Sequence, residues 1–414
     1  MRIAYLHDGS IPAEHAAGVR AVRMCDAMVD AGHQVILYAR PGSVPADDLY
    51  AYYGTRNRFE VRVLPQPAVP LLGPWLRARR VRAELRRRAE PDLLYGDDRL
   101  ALLACAAVAP MVQETDRVPT ARFDRALERR LLRRRRLHRV VAASRTLAEE
   151  LLAAFPYPPA RSTGTAAVTP AVTPAAAPTT TPAPDPAAPP RTPDTRGPGR
   201  ELPGPDLITA LPGADPVLPD GPAAELPGRA GALRIGVVGG LSAGRGTGLL
   251  LALADRLPEA DFHLVGGTEA EVRHWRDRCR SVNVHFHGHC PPAQVTRYLR
   301  AFDLVLAPHQ QLADGAARRT VPTALAEYLA HGRAVIASDH PLLRELLTDE
   351  VDSLLCPPDA VEDWIKAVRR LTEDPELRER LATNALRGHL THHTWQARAA
   401  RVLAGLPTDH RPWR

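Results

Sequence analysis

Lysine is almost missing from this chain: all but one of its 54 basic residues are arginine, the exception being Lys366. Schiff-base chemistry needs a lysine amine, and Lys366 sits in a solvent-type helix turn beside Asp363 and Trp364, so that class of mechanism is discounted. Aromatic residues make up only 5% of the chain, which leaves Ala, Leu and Val to carry the core. The five cysteines, Cys25, Cys105, Cys279, Cys290 and Cys356, follow no paired spacing and imply no disulfide framework. They read as free thiols in a reducing compartment. No apolar run reaches the roughly 18 residues of a membrane span. Met1 leads straight into the apolar run 3–6, so no signal peptide is expected and the location is read as cytoplasmic.

What is present is enough for two domains: 414 residues, 45% of them hydrophobic, with a formal charge of +7. The first part alternates strand and helix patterns. Residues 3–6, 35–38, 93–95, 111–112 and 140–142 read as strands, with helices over 18–31, 100–108, 122–138 and 146–155. Strands separated by helices imply a parallel, doubly wound sheet. Between 156 and 205 the composition turns to Pro, Ala, Thr and Gly without periodicity, which predicts a disordered insertion.

The alternation resumes with strands at 233–238, 262–265, 284–286, 304–306 and 334–338 and helices at 247–257, 295–301 and 323–330. A further helix is expected after Pro341, then an apolar run closing on Pro357-Pro358 and amphipathic helices at 361–371, 375–386 and 395–403. Two features here point to a ligand. Gly-rich backbone in VGGLSAGRGTGLLL (238–251) runs from a strand into a helix start, where unpaired amides and the helix dipole attract an anion. Glu327 sits inside an otherwise apolar helix, where a carboxylate needs a partner. The GxGxxG spacing of a dinucleotide-binding dehydrogenase is absent.

The segment 320–358, TVPTALAEYLAHGRAVIASDHPLLRELLTDEVDSLLCPP, resembles the donor-sugar half of the retaining GT-B glycosyltransferases of family four. Their typical wording is roughly P-x-x-x-x-E-y-x-A-x-G-x-P-V-V-A-S. AGHQVILYA (31–39) and VVAAS (140–144) resemble the acceptor half of the same family, and LPGAD (211–215) loosely resembles its P-x-G-x-D. The resemblance implies an α/β GT-B fold, two Rossmann-like domains facing across a cleft. It divides the chain into an acceptor-side domain at 1–155, the insertion at 156–205 and the end of that domain with the crossover at 206–232. A nucleotide-sugar domain at 233–390 and a C-terminal helix crossing back with its tail at 391–414 complete the division.

The same resemblance implies transfer of a hexose from an NDP-sugar, used as co-substrate without a further cofactor or metal, to an acceptor hydroxyl with retention. It places Gly18, Gly239, Gly240, Arg245, Gly288, Arg319, Val321 and Glu327 around the donor, with Glu327 on the ribose hydroxyls and Arg245 on the diphosphate. Family members carry an Arg where this chain has Gly240, a Lys where it has Arg245, and often a Glu where it has Arg319. Arg318 or Arg319 then becomes a candidate for the missing phosphate contact. In the acceptor half a family histidine is replaced by Asp116, read as a proton or hydrogen-bond acceptor for the acceptor hydroxyl.

These changes keep a second reading open, a catalytically weak or inactive GT-B protein serving as a binding or scaffold partner. A GT-B sugar-nucleotide epimerase is a third. His285, His287 and His289 alternate along a strand, and the favoured reading is a solvated face with no metal. Arginines cluster at 77–88, after Leu71, Leu72, Trp75 and Leu76, and again at 129–136. Such runs are usually solvated helix faces, and apolar residues beside them also suit peripheral contact with an anionic membrane. No nucleic-acid module accompanies them. The acceptor stays open among glycan, lipid and small molecule.

Overall fold

The computed structural model describes residues 1–42, 48–70, 72–88, 91–156, 205–217, 220–310 and 322–406. Nearly all of the 156–205 segment, together with Arg318, Arg319 and Val321, lies outside them.

The first half runs β1 (Arg2–Ile11), α1 (Ala16–Asp30), β2 (Gln34–Pro41), α2 (Leu49–Tyr53), β3 (Glu60–Val63), α3 (Gly73–Arg87), β4 (Leu93–Gly96) and α4 (Arg99–Ala104). It continues with β5 (Met111–Thr115), α5 (Arg122–Leu132), β6 (Leu137–Ala142), α6 (Arg145–Ala154) and β7 (Asp206–Thr209). The strands form one sheet in the order β3-β2-β1-β4-β5-β6-β7. The second half runs β8 (Leu233–Val238), α7 (Thr247–Arg256), β9 (Ala260–Val265), α8 (Glu269–Arg276), β10 (Val284–Gly288), α9 (Pro292–Ala301) and β11 (Leu304–Ala307). Then come α10 (Thr323–Ala330), β12 (Ala334–Ser338), β13 (Ser353–Cys356), α11 (Val361–Glu373), α12 (Pro375–His392) and α13 (Trp395–Leu403). Its sheet has the order β10-β9-β8-β11-β12-β13.

Every strand pairing in both sheets is parallel, so both faces need covering, and the central strands β1, β4, β8, β11 and β12 are mainly apolar. Ile3 and Tyr5 of β1 point into one core cluster while Ala4 and Leu6 point into the other, the two-residue period of a strand buried on both sides. The last helix does not stay with the second half. Trp395, Ala399 and Val402 of α13 pack into the core under α1.

Three expectations change. The basic helix over 122–138 stops at Leu132, because Leu137 to Ala142 are taken as β6 between β5 and β7. Pairing on both edges outweighs local helix preference there. The helix over 100–108 ends at Ala104 and continues as turns. After Pro341 there is only a single 3₁₀ turn, Leu343–Glu345, since Leu342, Leu343, Leu346 and Leu347 are all drawn into the core. Among the described residues no helix is long and apolar enough to cross a membrane.

Candidate functional site

In both sheets the strand order reverses beside the first strand of that half, and crevices at such switch points, at the C-terminal ends of the strands, are where α/β sheets take ligands. In the second half the crevice is built from glycine. Gly239 and Gly266, following β8 and β9, have φ of 131° and 115°, and a Cβ on Gly266 would collide with the Gly239 carbonyl oxygen. Only glycine lets the two strand ends approach this closely. Gly240 is different: an added Cβ there would meet nothing within 4 Å.

These strand ends form one wall of a cleft of about 300 Å³ between the two halves. Gly239, Gly240, Arg245, Gly267 and Thr268 line it from the loops after β8 and β9, His289 and Cys290 from the loop after β10, and Pro322, Thr323 and Glu327 from α10. The facing wall is Glu14, His15, Ala16 and Val19, at the start of α1. The halves also touch beside it, where the Tyr52 hydroxyl lies 3.0 Å from His289 Nε2.

Arg245 ends a 3₁₀ turn, Ala243–Arg245, and its Nη1 lies 3.0 Å from His309 Nε2. Burial lowers its pKa from the ordinary arginine value. Glu327 projects from the helical face toward the cleft and is half-buried. Among the described residues its carboxylate makes no hydrogen bond or contact ion pair. Burial is the main cause that raises its pKa to about 7, Arg23 opposing and Asp215 adding to the rise.

The cleft therefore brings together Gly239, Gly240, Arg245 and Glu327. Gly288 adjoins it with φ 72°, its carbonyl accepting from Gly266 N at 2.7 Å. Gly18 does not line it: that glycine is buried facing the Tyr53 hydroxyl, while Ala16 and Val19 form the wall. Asp116 is not a lining residue either, and its carboxylate is paired with Arg20 Nη2 at 3.0 Å. Arg319 and Val321 lie outside the described residues.

The histidine strand departs from the solvated face expected of it. His285 and His287 stack on buried His263, with ring centroids 5.0 and 5.4 Å away, because β10 pairs with β9 and brings the rings together. Among the described residues no group of three or more His, Cys, Asp or Glu side chains has a metal-holding arrangement.

The sequence reading missed two features. His309, at the end of β11, belongs to no recognisable pattern, and only its position after an apolar strand hinted at it. At the corresponding switch point of the first sheet, His7 Nδ1 lies 3.0 Å from Asp97. Burial opposes the charge on Asp97, but His7 and Arg20 outweigh it and hold the carboxyl well below the usual range. Beside it Arg77, one of the clustered arginines, is buried rather than solvated and donates to Asp98 and to the His7 carbonyl.

Comparison with known proteins matches this geometry. A family model described as Glycosyltransferase Family 4 matches residues 17–163, and one described as Glycosyl transferase-like matches 245–404. Over the whole chain the fold is similar to that of Anabaena HepE in complex with UDP, at 17% identity, 98% coverage of this chain, 100% of that one and a TM-score of 0.64. This is a GT-B fold. Two further solved structures have a similar fold: sucrose-phosphate synthase from Thermosynechococcus elongatus (15% identity, 97% of each chain, TM-score 0.64) and WaaG, a glycosyltransferase of lipopolysaccharide biosynthesis (15%, 97% and 100%, 0.60). Among curated proteins, a phosphatidyl-myo-inositol mannosyltransferase of Mycolicibacterium smegmatis is 27% identical over 164 residues. That match spans 38% of this chain and 40% of the relative. Both GT-B halves of the chain thus carry glycosyltransferase-type sequence.

Proposed function

We propose that this GT-B protein is a glycosyltransferase that moves a hexose from a nucleoside-diphosphate sugar to an acceptor hydroxyl with retention of configuration. One observation carries the reading: glycine backbone, the Arg245 guanidinium and the Glu327 carboxylate converge on a single cleft between the halves. A nucleoside diphosphate presents the complementary groups. Its phosphates suit backbone amides and a guanidinium, and its ribose hydroxyls suit a carboxylate acceptor. The negative charge that develops on the departing diphosphate would be stabilised by Arg245 and those amides, already in place before reaction. The structures of Anabaena HepE with UDP and with UDP-glucose support a nucleotide-sugar donor. Hexose and retention rest on the family resemblance, as do the donor roles of Gly18, Gly288, Arg319 and Val321.

The catalytic assignment of Asp116 draws less support than that of Arg245, since its carboxylate is committed to Arg20. We further infer peripheral membrane contact through α3. Leu72 and Trp75 at its start are about half exposed, and Arg79, Arg80, Arg86 and Arg87 are exposed along it.

The deciding experiment is a panel of UDP-, GDP- and dTDP-sugars. A bound donor raises the melting temperature by linkage, and release of NDP is then followed with and without candidate acceptors. Stabilisation by one donor and acceptor-dependent NDP release are expected. Binding without release from any donor would favour the inactive-partner reading, and release without an acceptor the epimerase.

A further inference from the structure

We propose that His309 is a positioning residue for Arg245, a neutral hydrogen-bond acceptor that aims the guanidinium at the donor diphosphate without cancelling its charge. The inference rests on the donor-site reading above and adds to it a residue that the family resemblance does not assign.

Consider first how the two residues are held. The loops after β8 and β11 flank the switch point of the second sheet and are locked together through backbone. Gln310 N donates to the Gly244 carbonyl at 3.1 Å, and Gly246, with φ 73°, lies so close to Pro308 that a Cβ there would collide with its carbonyl oxygen. Arg245 and His309 project from this junction and meet at 3.0 Å. A guanidinium has donors only, so His309 Nε2 must be the acceptor and the ring proton must sit on Nδ1. His309 is 8% exposed, and burial together with the neighbouring Arg245 pushes its pKa down to about 3. It is neutral at any physiological pH.

Among the described residues, the choice of partner distinguishes half-buried Arg245 from the fully buried arginines, and half-buried Arg333 instead donates to the Phe302 carbonyl. Arg20 and Arg398 pair with Glu114, and Arg77 pairs with Asp98. Each of those guanidiniums is neutralised where it stands, which suits a structural tie. Among the described residues Arg245 has no carboxylate partner, and burial lowers its pKa whereas those of Arg20 and Arg398 are raised. Burying a cation without a counter-ion is costly unless something else supplies the negative charge. The cleft that Arg245 lines is where an anion would supply it. A carboxylate in place of His309 would hold the guanidinium equally well but would occupy its charge. An imidazole fixes one Nη and leaves the other N–H groups, and the full charge, for the ligand.

Three substitutions separate positioning from mere packing. His309→Gln keeps a neutral acceptor, His309→Leu removes it, and His309→Asp replaces it with an anion. UDP, GDP, dTDP and inorganic pyrophosphate are titrated calorimetrically into the full chain and its variants, with a melting curve for each. We expect His309→Gln to bind like wild type and His309→Leu to bind roughly 2- to 10-fold more weakly, the cost of ordering one freed side chain. His309→Asp should melt no lower than His309→Leu and yet bind more weakly still. Loss of affinity with retained stability is what a packing role does not give. If wild type binds and Arg245→Ala weakens binding, but His309→Leu or His309→Asp binds like wild type, this inference is overturned and the donor site stands. If folded wild type binds none of the four probes, the donor-site reading fails and the inference goes with it.

Discussion

Glu114 and Arg398 are 284 positions apart in sequence, and Arg398 Nη2 donates to Glu114 Oε1 at 2.8 Å in the core of the first half. The same carboxylate faces Arg20 Nε at 3.2 Å and accepts from the Tyr95 and Tyr5 hydroxyls at 2.6 and 3.2 Å. One buried carboxylate thus joins α13, which returns from the far end of the chain, to α1, whose first turn lines the cleft. Arg398 continues the tie by donating to the carbonyls of Leu211 and Ala210.

Removing one partner of a buried ion pair strands the other, at a cost of up to about 3–5 kcal/mol. Arg398→Leu should therefore lower the denaturation midpoint clearly, though Arg20 still faces Glu114 and softens the loss. The double variant Arg398→Leu/Glu114→Gln should recover part of it, because no uncompensated charge is left. Chemical denaturation of the three proteins tests this, and equal midpoints for wild type and Arg398→Leu would show that the tie contributes no stability.

Glu327 makes stability depend on pH in a direction opposite to that of a salt-bridged carboxylate. Its native pKa of about 7 lies above the ordinary value of 4.5, so between the two the native state binds more protons than the unfolded chain. The group's contribution is fully present below about 4.5 and is lost as pH rises through about 7. Glu327→Gln, which cannot ionise, should melt higher than wild type at pH 8, with the difference closing toward pH 4.5. Melting curves across that range check the sign; a constant offset between the two proteins would place the titrating group elsewhere. Bound nucleotide should shrink the difference by giving the carboxylate hydroxyl partners.

Much of this was legible in the sequence, and what was not has physical reasons. The helix Thr323–Ala330 and the strand Ala334–Ser338 stand where periodicity and the His331-Gly332 stop place them, because both are buried and strongly patterned. The convergence of Arg245 and Glu327 was reachable only through family resemblance, since no local pattern tells that residues so far apart share a cleft. α2, β3 and α8 went unread: they are short, and α8 and β3 are mostly polar, so they carry little hydrophobic period. His309 escaped because its role comes from a partner on another loop, and Arg77 because burial cannot be read from a run of arginines. Asp116 was legible as a polar residue after a strand, but not as the partner of Arg20.

The exposed face of α3 makes membrane contact testable. Trp75 lies under the Arg79 guanidinium at 4.7 Å, and Leu72 stands beside it at 54% exposure. An apolar pair next to several arginines should favour anionic vesicles over neutral ones, with about 1 kcal/mol per arginine near the surface. Co-sedimentation with phosphatidylserine-containing vesicles should fall with added salt, and should fall again in Trp75→Ala and in Arg79→Ala/Arg80→Ala. Equal sedimentation with neutral vesicles, or none with either, would leave α3 as an ordinary solvated helix.

Nothing in the surroundings of Gly240, which stands where the family resemblance expects an Arg, demands glycine. An added Cβ meets open space and the backbone is not in the left-handed region, in contrast to Gly239 with φ 131°. The fold therefore leaves room for a side chain at this position. If the cleft holds a diphosphate, Gly240→Arg supplies a second guanidinium beside Arg245 and should tighten NDP binding by about 1.5–3 kcal/mol, the range for a hydrogen bond to a charged group. Arg245→Ala should weaken binding by a similar amount, and the double variant should fall near wild type. Gly239→Arg is the matched control: it introduces the same charge next door but forces a strained backbone, so its melting temperature should drop. Calorimetric titration with UDP and GDP, run beside melting curves, separates the outcomes. Tighter binding in Gly240→Arg with unchanged stability would fix the diphosphate at this strand end. Unchanged affinity in both Gly240→Arg and Arg245→Ala would place the phosphates elsewhere in the cleft.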